Sequence, residues 1–122
     1  MVEVICDTNF LIHLATKRIK NIDNLDVEIG SISFVVPKVV INELSKLQEV
    51  PEKKQDIIAT LNYIKKLKTI SICGNFADKE LLDYVKTNRS IIGTMDKALK
   101  KQIKQAGGSI ISFSQDKIVL ES

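Results

Sequence analysis

Residues 2–16 read VEVICDTNFLIHLAT, and this stretch decides the fold. Residues 2–6 are mostly apolar and rich in β-branched side chains, which is typical of a short buried strand. Residues 8–17 have helical periodicity, with apolar positions on one face at Phe10, Leu11 and Leu14. Asp7 is therefore predicted to lie at a turn from a buried strand into a helix.

The same alternation continues along the chain. Further strands are predicted at residues 33–36, 69–73, 91–93 and 109–113. Further helices are predicted to begin at Pro37, whose ring suits a first helical turn, and to span residues 53–68, 77–86 and 96–105. Residues 19–32 fit a short helix and an edge strand equally well. This pattern predicts a three-layer α/β/α fold around a central, largely parallel sheet.

Length and composition limit the kind of protein. A chain of 122 residues is the size of one domain, so residues 1–122 are expected to form one unit. No apolar run reaches the roughly 18 residues of a membrane span, and the first residues lack a signal-peptide pattern. We therefore expect a cytoplasmic protein. Cys6 and Cys73 are expected to be reduced, and with one histidine they are too few for a zinc site.

The charges are unevenly divided between a few acids and many lysines. With four candidate site acids set aside, 11 of the 15 acidic residues remain against 18 cationic ones. Sixteen of the cations are lysines, and only Arg18 and Arg89 are arginines. This composition favours loose attraction to phosphates over bidentate recognition of particular bases, although a solvated lysine-rich surface would look the same.

The four acids set aside are Asp7, Glu43, Asp78 and Asp96. Asp7 directly follows the first strand, and Asp78 and Asp96 each open a helix after a later strand. Because α/β sheets bind ligands beyond the carboxyl ends of their strands, these three side chains are expected to converge. Glu43, in the second turn of its helix, could complete the ring. The alternative for Asp78 and Asp96 is simple capping of their helices.

Several carboxylates crowded together repel one another and are protonated unless a cation keeps them ionised. A site made of oxygen ligands selects Mg²⁺ or Mn²⁺, and such ions retain waters, one of which can attack a phosphodiester. A metal-free ribonuclease would instead be expected to use a paired acid and base, most often histidines. The chain has only His13, on an apolar helix, which we interpret as structural or surface.

Four segments of the sequence resemble the acidic motifs of PIN-domain ribonucleases. They are ICDTNFL at residues 5–11, VPKVVINEL at 36–44, ADKELL at 77–82 and GTMDKAL at 93–99. The resemblance extends over nearly the whole chain, from about Val4 to Phe113. It looks closer to archaeal single-domain proteins similar to small-subunit ribosomal-RNA processing nucleases than to toxin members.

The resemblance implies endonucleolytic cleavage of RNA that depends on Mg²⁺ or Mn²⁺, a homodimer, and either an antitoxin or a ribosome-assembly partner. It assigns metal binding to the four acids, and it assigns supporting roles to Asn9 and Thr94, which as an alternative only shape their helix start and turn. Two positions depart from the pattern: Lys79 replaces a frequent second acid, and Met95 replaces a frequent asparagine.

Two alternative functions remain at this stage. A PIN-like RNA-binding or assembly module would bind RNA without needing Asp7. A phosphoryl-accepting receiver domain would need paired acids after the first strand, and Asp7 has no acidic neighbour. A receiver would also need an acceptor aspartate at a strand end near the middle of the chain, whereas Asp56 falls within a predicted helix.

A basic helix face and six aromatic residues complete the candidate surface. Spacings of three and four residues place the lysines of the last helix on one face, at Lys97, Lys100, Lys101 and Lys104. Because such charges repel unless an anion lies across them, RNA phosphates are one partner for this face and solvent is the alternative. The aromatic side chains are predicted to be core residues rather than base-stacking platforms: Phe10, Phe34, Phe76, Phe113, Tyr63 and Tyr84.

Overall fold

The computed structural model describes residues 2–17, 32–115 and 117–121, so residues 19–31 of the ambiguous segment lie outside the described residues. The strands in these parts are β1 (Val2–Cys6), β2 (Ile32–Pro37), β3 (Lys68–Ile70), β4 (Ile91–Gly93), β5 (Ser109–Ser114) and β6 (Lys117–Glu121). The α-helices are α1 (Thr8–Thr16), α2 (Lys38–Leu47), α3 (Lys54–Ile64), α4 (Ala77–Thr87) and α5 (Lys97–Gln105). A short 3₁₀ helix, Pro51–Lys53, precedes α3.

The strands form one six-stranded sheet in the order β3-β2-β1-β4-β5-β6. All neighbouring pairs are parallel except β5 and β6, which are antiparallel. The predicted α/β fold with a largely parallel sheet is confirmed. From β1 the chain builds outward first through β2 and β3 and later through β4 and β5. Because crossovers are right-handed, this change of direction puts helices on both faces and makes the β1–β4 boundary a switch point.

The structure corrects the predicted boundaries around β3. The helix predicted over residues 53–68 ends at Ile64, and Lys68 already pairs with Val35 in the sheet. The strand ends at Ile70 because the next backbone groups bond elsewhere: Ile72 N donates to Ile70 O, and Ile72 O accepts from Val39 N at 2.9 Å. This second bond holds the segment after β3 against the start of α2.

Two further boundaries differ from the prediction. Pro37 ends β2 and occupies the N-cap of α2 instead of its first turn. Strand β6 was missed by the sequence analysis, which stopped at Phe113. It pairs from Lys117 to Glu121 after a tight turn at Gln115, whose φ is +52°. The signal for it was weak, since buried Ile118 is followed by the exposed Leu120 in only five residues.

An aromatic cluster centred on Phe10 packs beneath the carboxyl end of β1. Its fully buried ring stacks on Phe113 at 4.6 Å between centroids and lies 6.0 Å from Phe34. Gly93 at the end of β4 allows this packing, because a Cβ there would stand 2.9 Å from the Phe10 ring. The predicted core positions of these rings are confirmed, and the turn that follows β4 is fixed directly above them.

The structure also bears on three smaller predictions. Cys6 is buried and Cys73 is exposed, and both are free thiols, as expected. His13 stacks on Phe113 with 4.2 Å between ring centroids, so it belongs to the aromatic cluster. Among the described residues, no helix is long and apolar enough to cross a membrane.

Candidate functional site

A cavity of about 480 Å³ opens at the carboxyl end of the parallel strands. All four predicted acids line it, and they come from four different segments of the chain: Asp7, Glu43, Asp78 and Asp96. The predicted convergence is therefore observed. The other lining residues are Thr8, Asn9, Lys46, Leu47, Lys53, Asn75 and Phe76.

Asp7 is the most deeply placed acid, with 5% of its surface exposed. Its backbone N donates to Gly93 O at 2.9 Å, which fixes the end of β1 against β4. Its Oδ1 accepts from Phe10 N at 2.9 Å and so caps α1. Its Oδ2 accepts from the Thr94 hydroxyl. Both carboxylate oxygens are thus held in place, on the floor of the cavity.

Burial raises the pKa of Asp7 from 3.8 to about 6. The hydrogen bonds from Thr94 and from Phe10 N lower it, but they only partly offset the loss of water. The carboxylates of Asp78 and Asp96 raise it further. A group with this environment holds its negative charge poorly unless a cation joins the site.

Asp96 is tied to Asp7 through Thr94. Asp96 N donates to Thr94 Oγ1 at 3.1 Å, while that hydroxyl donates to Asp7, so one buried threonine links the two acids. Asp96 Oδ1 also accepts from Leu99 N at 3.1 Å. The capping role considered from the sequence is therefore observed, and Asp96 lines the cavity as well.

Asp78 and Glu43 line the cavity together with Asp7 and Asp96. Asp78 lies within the first turn of α4 but is not its cap, because Phe76 takes that position. The pKa of Asp78 is raised by burial, then by Asp96 and by Glu43. Glu43 Oε2 accepts from the Thr8 hydroxyl at 2.8 Å. The four carboxylates therefore act on one another across the cavity.

The donor set consists of carboxylate and hydroxyl oxygens. No group of three or more acidic, histidine or cysteine side chains in the described parts of the chain is spaced to coordinate one metal ion directly. Mg²⁺ does not need three protein ligands, because it commonly binds proteins through one or two carboxylates and keeps several waters. The site thus fits a hydrated hard cation and does not fit a zinc ion held by nitrogen and sulfur.

Comparison with known proteins agrees with the geometry. The model of the PIN-like domain family matches residues 4–116, which include all four acids. The chain belongs to the PIN-like domain family. It is 28% identical to Ribonuclease VapC4 of Methanocaldococcus jannaschii, over 96% of this chain and 94% of that protein.

Comparison with solved structures also finds similar folds. The chain resembles the PIN domain endonuclease Utp24 with a TM-score of 0.78 and 25% identity, covering 98% of this chain and 90% of that one. It also resembles a domain of a functionally unknown protein from Methanocaldococcus jannaschii, with a TM-score of 0.65 and 16% identity over 93% and 92% of the two chains. The second likeness concerns the fold alone.

In this PIN-like domain, part of the predicted basic face has a partner within the chain. Lys100 Nζ lies 3.0 Å and Lys104 Nζ 3.3 Å from the carboxylate of Glu121 in β6. The anion that the grouped lysines require is therefore supplied in part by Glu121. RNA binding by this face stays a prediction, and it now depends on Lys97 and Lys101, which are exposed.

The Glu121 cluster leads to a prediction about acid stability. The Ser112 hydroxyl, Lys100 and Lys104 lower the pKa of Glu121 from 4.5 to about 2. Because the folded state keeps this carboxylate ionised where the unfolded chain protonates it, the stabilisation is complete above pH 4.5 and is lost as the pH falls toward 2.

Glu121→Gln should therefore lower the free energy of unfolding by about 1 kcal/mol above pH 4.5, with partial exposure limiting the effect. The gap to wild type should close on acidification, as measured by urea unfolding along a pH series. Glu52→Gln removes an exposed carboxylate from the 3₁₀ helix and serves as the control. A gap that is unchanged at low pH would contradict the assignment.

Sequence reasoning missed several residues of the cavity wall. Thr8 follows Asp7 directly, so its reach to Glu43 depends on how α1 and α2 pack. Lys46 lies three residues after Glu43, a helical spacing that could have indicated it. For Phe76 the core prediction is wrong: 69% of its surface is exposed, because it lies just outside α4 at the cavity. Asn9 lines the cavity, and its predicted supporting role stays a prediction.

Proposed function

We propose that this protein is an endoribonuclease that hydrolyses RNA phosphodiester bonds at the cavity, with Mg²⁺ or Mn²⁺ as its cofactor. The observation that carries the proposal is the buried Asp7 carboxylate at the β1–β4 switch point, facing Asp78 and Asp96 across one cavity. Membership of the PIN-like family and the similarity to a ribonuclease and an endonuclease support the same activity.

Each acid has a distinct place in this proposal. Asp7 would be the principal metal ligand, because it is buried and both of its oxygens are oriented by hydrogen bonds. Asp96, Asp78 and Glu43 are more open and would help to hold the ion, directly or through its waters. Thr94 and Thr8 are positioning residues that fix Asp7 and Glu43. Asn9 supports the site from the first turn of α1.

When bound, the ion would activate the attacking water and neutralise charge that develops on the phosphate. The protein residues orient the reaction. The ring of carboxylates repels a phosphate anion in the absence of the cation, so entry of the scissile phosphate among the acids would depend on the metal, whereas contacts with RNA outside the ring would not. The surplus of lysines outside the ring draws the RNA backbone to the surface.

The biological setting follows from the relatives and is part of the proposal. The resemblance of the sequence to PIN-domain ribonucleases suggests two settings, a toxin with an antitoxin partner and RNA processing with a ribosome-assembly partner, and the similarity to a ribonuclease and to an endonuclease fits both. We further propose that the protein acts in the cytoplasm and as a homodimer. Co-purification from the native organism would distinguish the two kinds of partner.

The test is cleavage of end-labelled single-stranded and structured RNA in Mn²⁺ or Mg²⁺. Internal cuts should appear with the metal and disappear in EDTA. Asp7→Asn should lower the rate by about 100-fold or more, because it removes the buried charged ligand. Asp83→Asn removes an exposed carboxylate of α4 outside the cavity and should cut like wild type.

Two outcomes would contradict the proposal. Cleavage that persists unchanged in EDTA would exclude the metal-dependent mechanism. If wild type and Asp7→Asn bind RNA equally and neither cleaves any RNA, the protein is a binding or assembly module, the alternative function considered from the sequence.

A further inference from the structure

Phe76 has an environment that the hydrolytic mechanism does not explain. Its ring is 69% exposed and is not among the residues, within the described parts of the chain, that pack on the apolar core. An exposed ring forfeits the stabilisation that burial of an aromatic side chain provides. It nevertheless lines the cavity of the four acids, two residues before Asp78.

The loop before α4 places Phe76 at the start of that helix. Gly74 has a φ of +142°, and a Cβ there would lie 2.3 Å from the Glu80 side chain, so Glu80 packs directly against the loop backbone. Glu80 N also donates to Phe76 O at 3.1 Å. The first turn of α4 therefore supports the loop on which Phe76 stands. A side chain at position 74 would be strained at this φ and would displace the end of Glu80.

Two lysines also line this cavity. Lys46 shares a face of α2 with Glu43, and Lys53 ends the 3₁₀ helix that follows. Both are exposed, and neither is in an ion pair with any described residue, in contrast to Lys100 and Lys104. Cations that remain unpaired beside four carboxylates are available for an anionic ligand that reaches into the cavity.

We infer that Phe76, Lys46 and Lys53 form a nucleotide-binding wall, in which the ring stacks on an unpaired base and the lysines contact the phosphates that flank it. The inference rests on the proposed function, which brings an RNA phosphate to the neighbouring acids. Stacking on one ring tolerates every base but requires that the base be unpaired. The wall therefore selects single-stranded segments, such as loops and ends, as the sites of cleavage.

The base-stacking part is tested by binding instead of cleavage. In the Asp7→Asn background and in EDTA, labelled single-stranded RNA and an abasic ribose-phosphate chain of equal length are titrated by fluorescence anisotropy. Phe76→Ala should weaken binding of the RNA by about tenfold and leave the abasic chain unaffected. Phe76→Trp should restore binding. Ile58→Ala, at another exposed apolar side chain, should change neither.

The phosphate-binding part is tested by the dependence of binding on salt. Lys46→Ala with Lys53→Ala should reduce the slope of log K against log salt by about 1.4, the value for two lost contacts on a single strand. Lys54→Ala with Lys65→Ala is the matched control, because these exposed lysines lie outside the cavity wall. This control pair should leave the slope close to that of the parent.

The outcomes separate this inference from the proposed function. The inference is wrong if Phe76→Ala weakens binding of the abasic chain as much as binding of the RNA, or if it changes neither. It is also wrong if the Asp7→Asn parent binds no RNA. These outcomes would overturn it even when wild type cleaves RNA. If the variants behave as expected but wild type cuts nothing, the wall stands and hydrolysis fails. Equal salt slopes in the two lysine pairs would overturn the role of Lys46 and Lys53.

Discussion

Asp7→Asn should make the metal-free protein more stable than wild type above pH 6, while it removes metal-dependent stabilisation. The pKa of Asp7 is raised by burial from 3.8 to about 6, so between these values the folded state keeps a proton that the unfolded chain releases. Wild type therefore loses up to about 3 kcal/mol of stability as the pH rises through this range. The asparagine variant has no such titration.

The measurement is denaturant unfolding in EDTA along a pH series, followed by addition of Mg²⁺ or Mn²⁺. The advantage of Asp7→Asn should grow from pH 3.8 to about 6 and then level off. The metal should raise the midpoint of wild type by mass action and leave the variant nearly unchanged. An advantage that does not vary with pH, or equal stabilisation of both proteins by the metal, would show that Asp7 is not the buried charge of the site.

Thr94→Val should lower the rate of RNA cleavage by about 10- to 100-fold without unfolding the protein. Valine fills the same buried space but removes the hydroxyl that donates to Asp7 and accepts from Asp96 N. Among the contacts that lower the pKa of Asp7, this hydrogen bond has the largest effect. The pH at which activity is half-maximal should therefore rise, and more metal should be needed to reach saturation.

Thr94→Ser separates the hydroxyl from the packing of the methyl group. It keeps the donor and should retain most of the activity, with a modest loss of stability from the missing methyl. The comparison uses kcat/KM at several pH values and metal concentrations. If the serine variant is as impaired as the valine variant and the pH profile does not move, Thr94 acts through packing and not through its hydrogen bond to Asp7.

Both predictions concern residues that the sequence indicated correctly. Asp7 was predicted to follow a buried strand, and Asp96 to open a helix after another strand, and the structure has both there. Their convergence could be predicted because carboxyl ends of parallel strands share one edge of a sheet. Periodicity also located most of the core, including Phe10 and Phe113, since buried positions recur every two residues in strands and every three or four in helices.

The errors occurred where the outcome depends on distant partners. The pairing of Lys100 and Lys104 with Glu121 joins residues 21 and 17 positions apart, through a strand too short to be recognised. The helix predicted over residues 53–68 was too long because Lys68 belongs to the sheet. It pairs with Val35, and its Nζ lies 2.8 Å from Glu3 Oε2. Phe76 was grouped with the other aromatic residues, most of which lie in apolar patterns, and only the start of α4 at Ala77 shows that its side chain is outside the core.

The sequence by itself determined the alternation of strands and helices, the parallel sheet and the positions of Asp7, Asp78 and Asp96 after strands, because these follow from local periodicity and from turns next to strands. The tertiary structure alone decided how deep each carboxylate lies, that Thr94 links Asp7 to Asp96, and that Lys46, Lys53 and Phe76 share their cavity. Burial and side-chain contacts depend on which elements pack together, and that arrangement is a property of the whole folded chain.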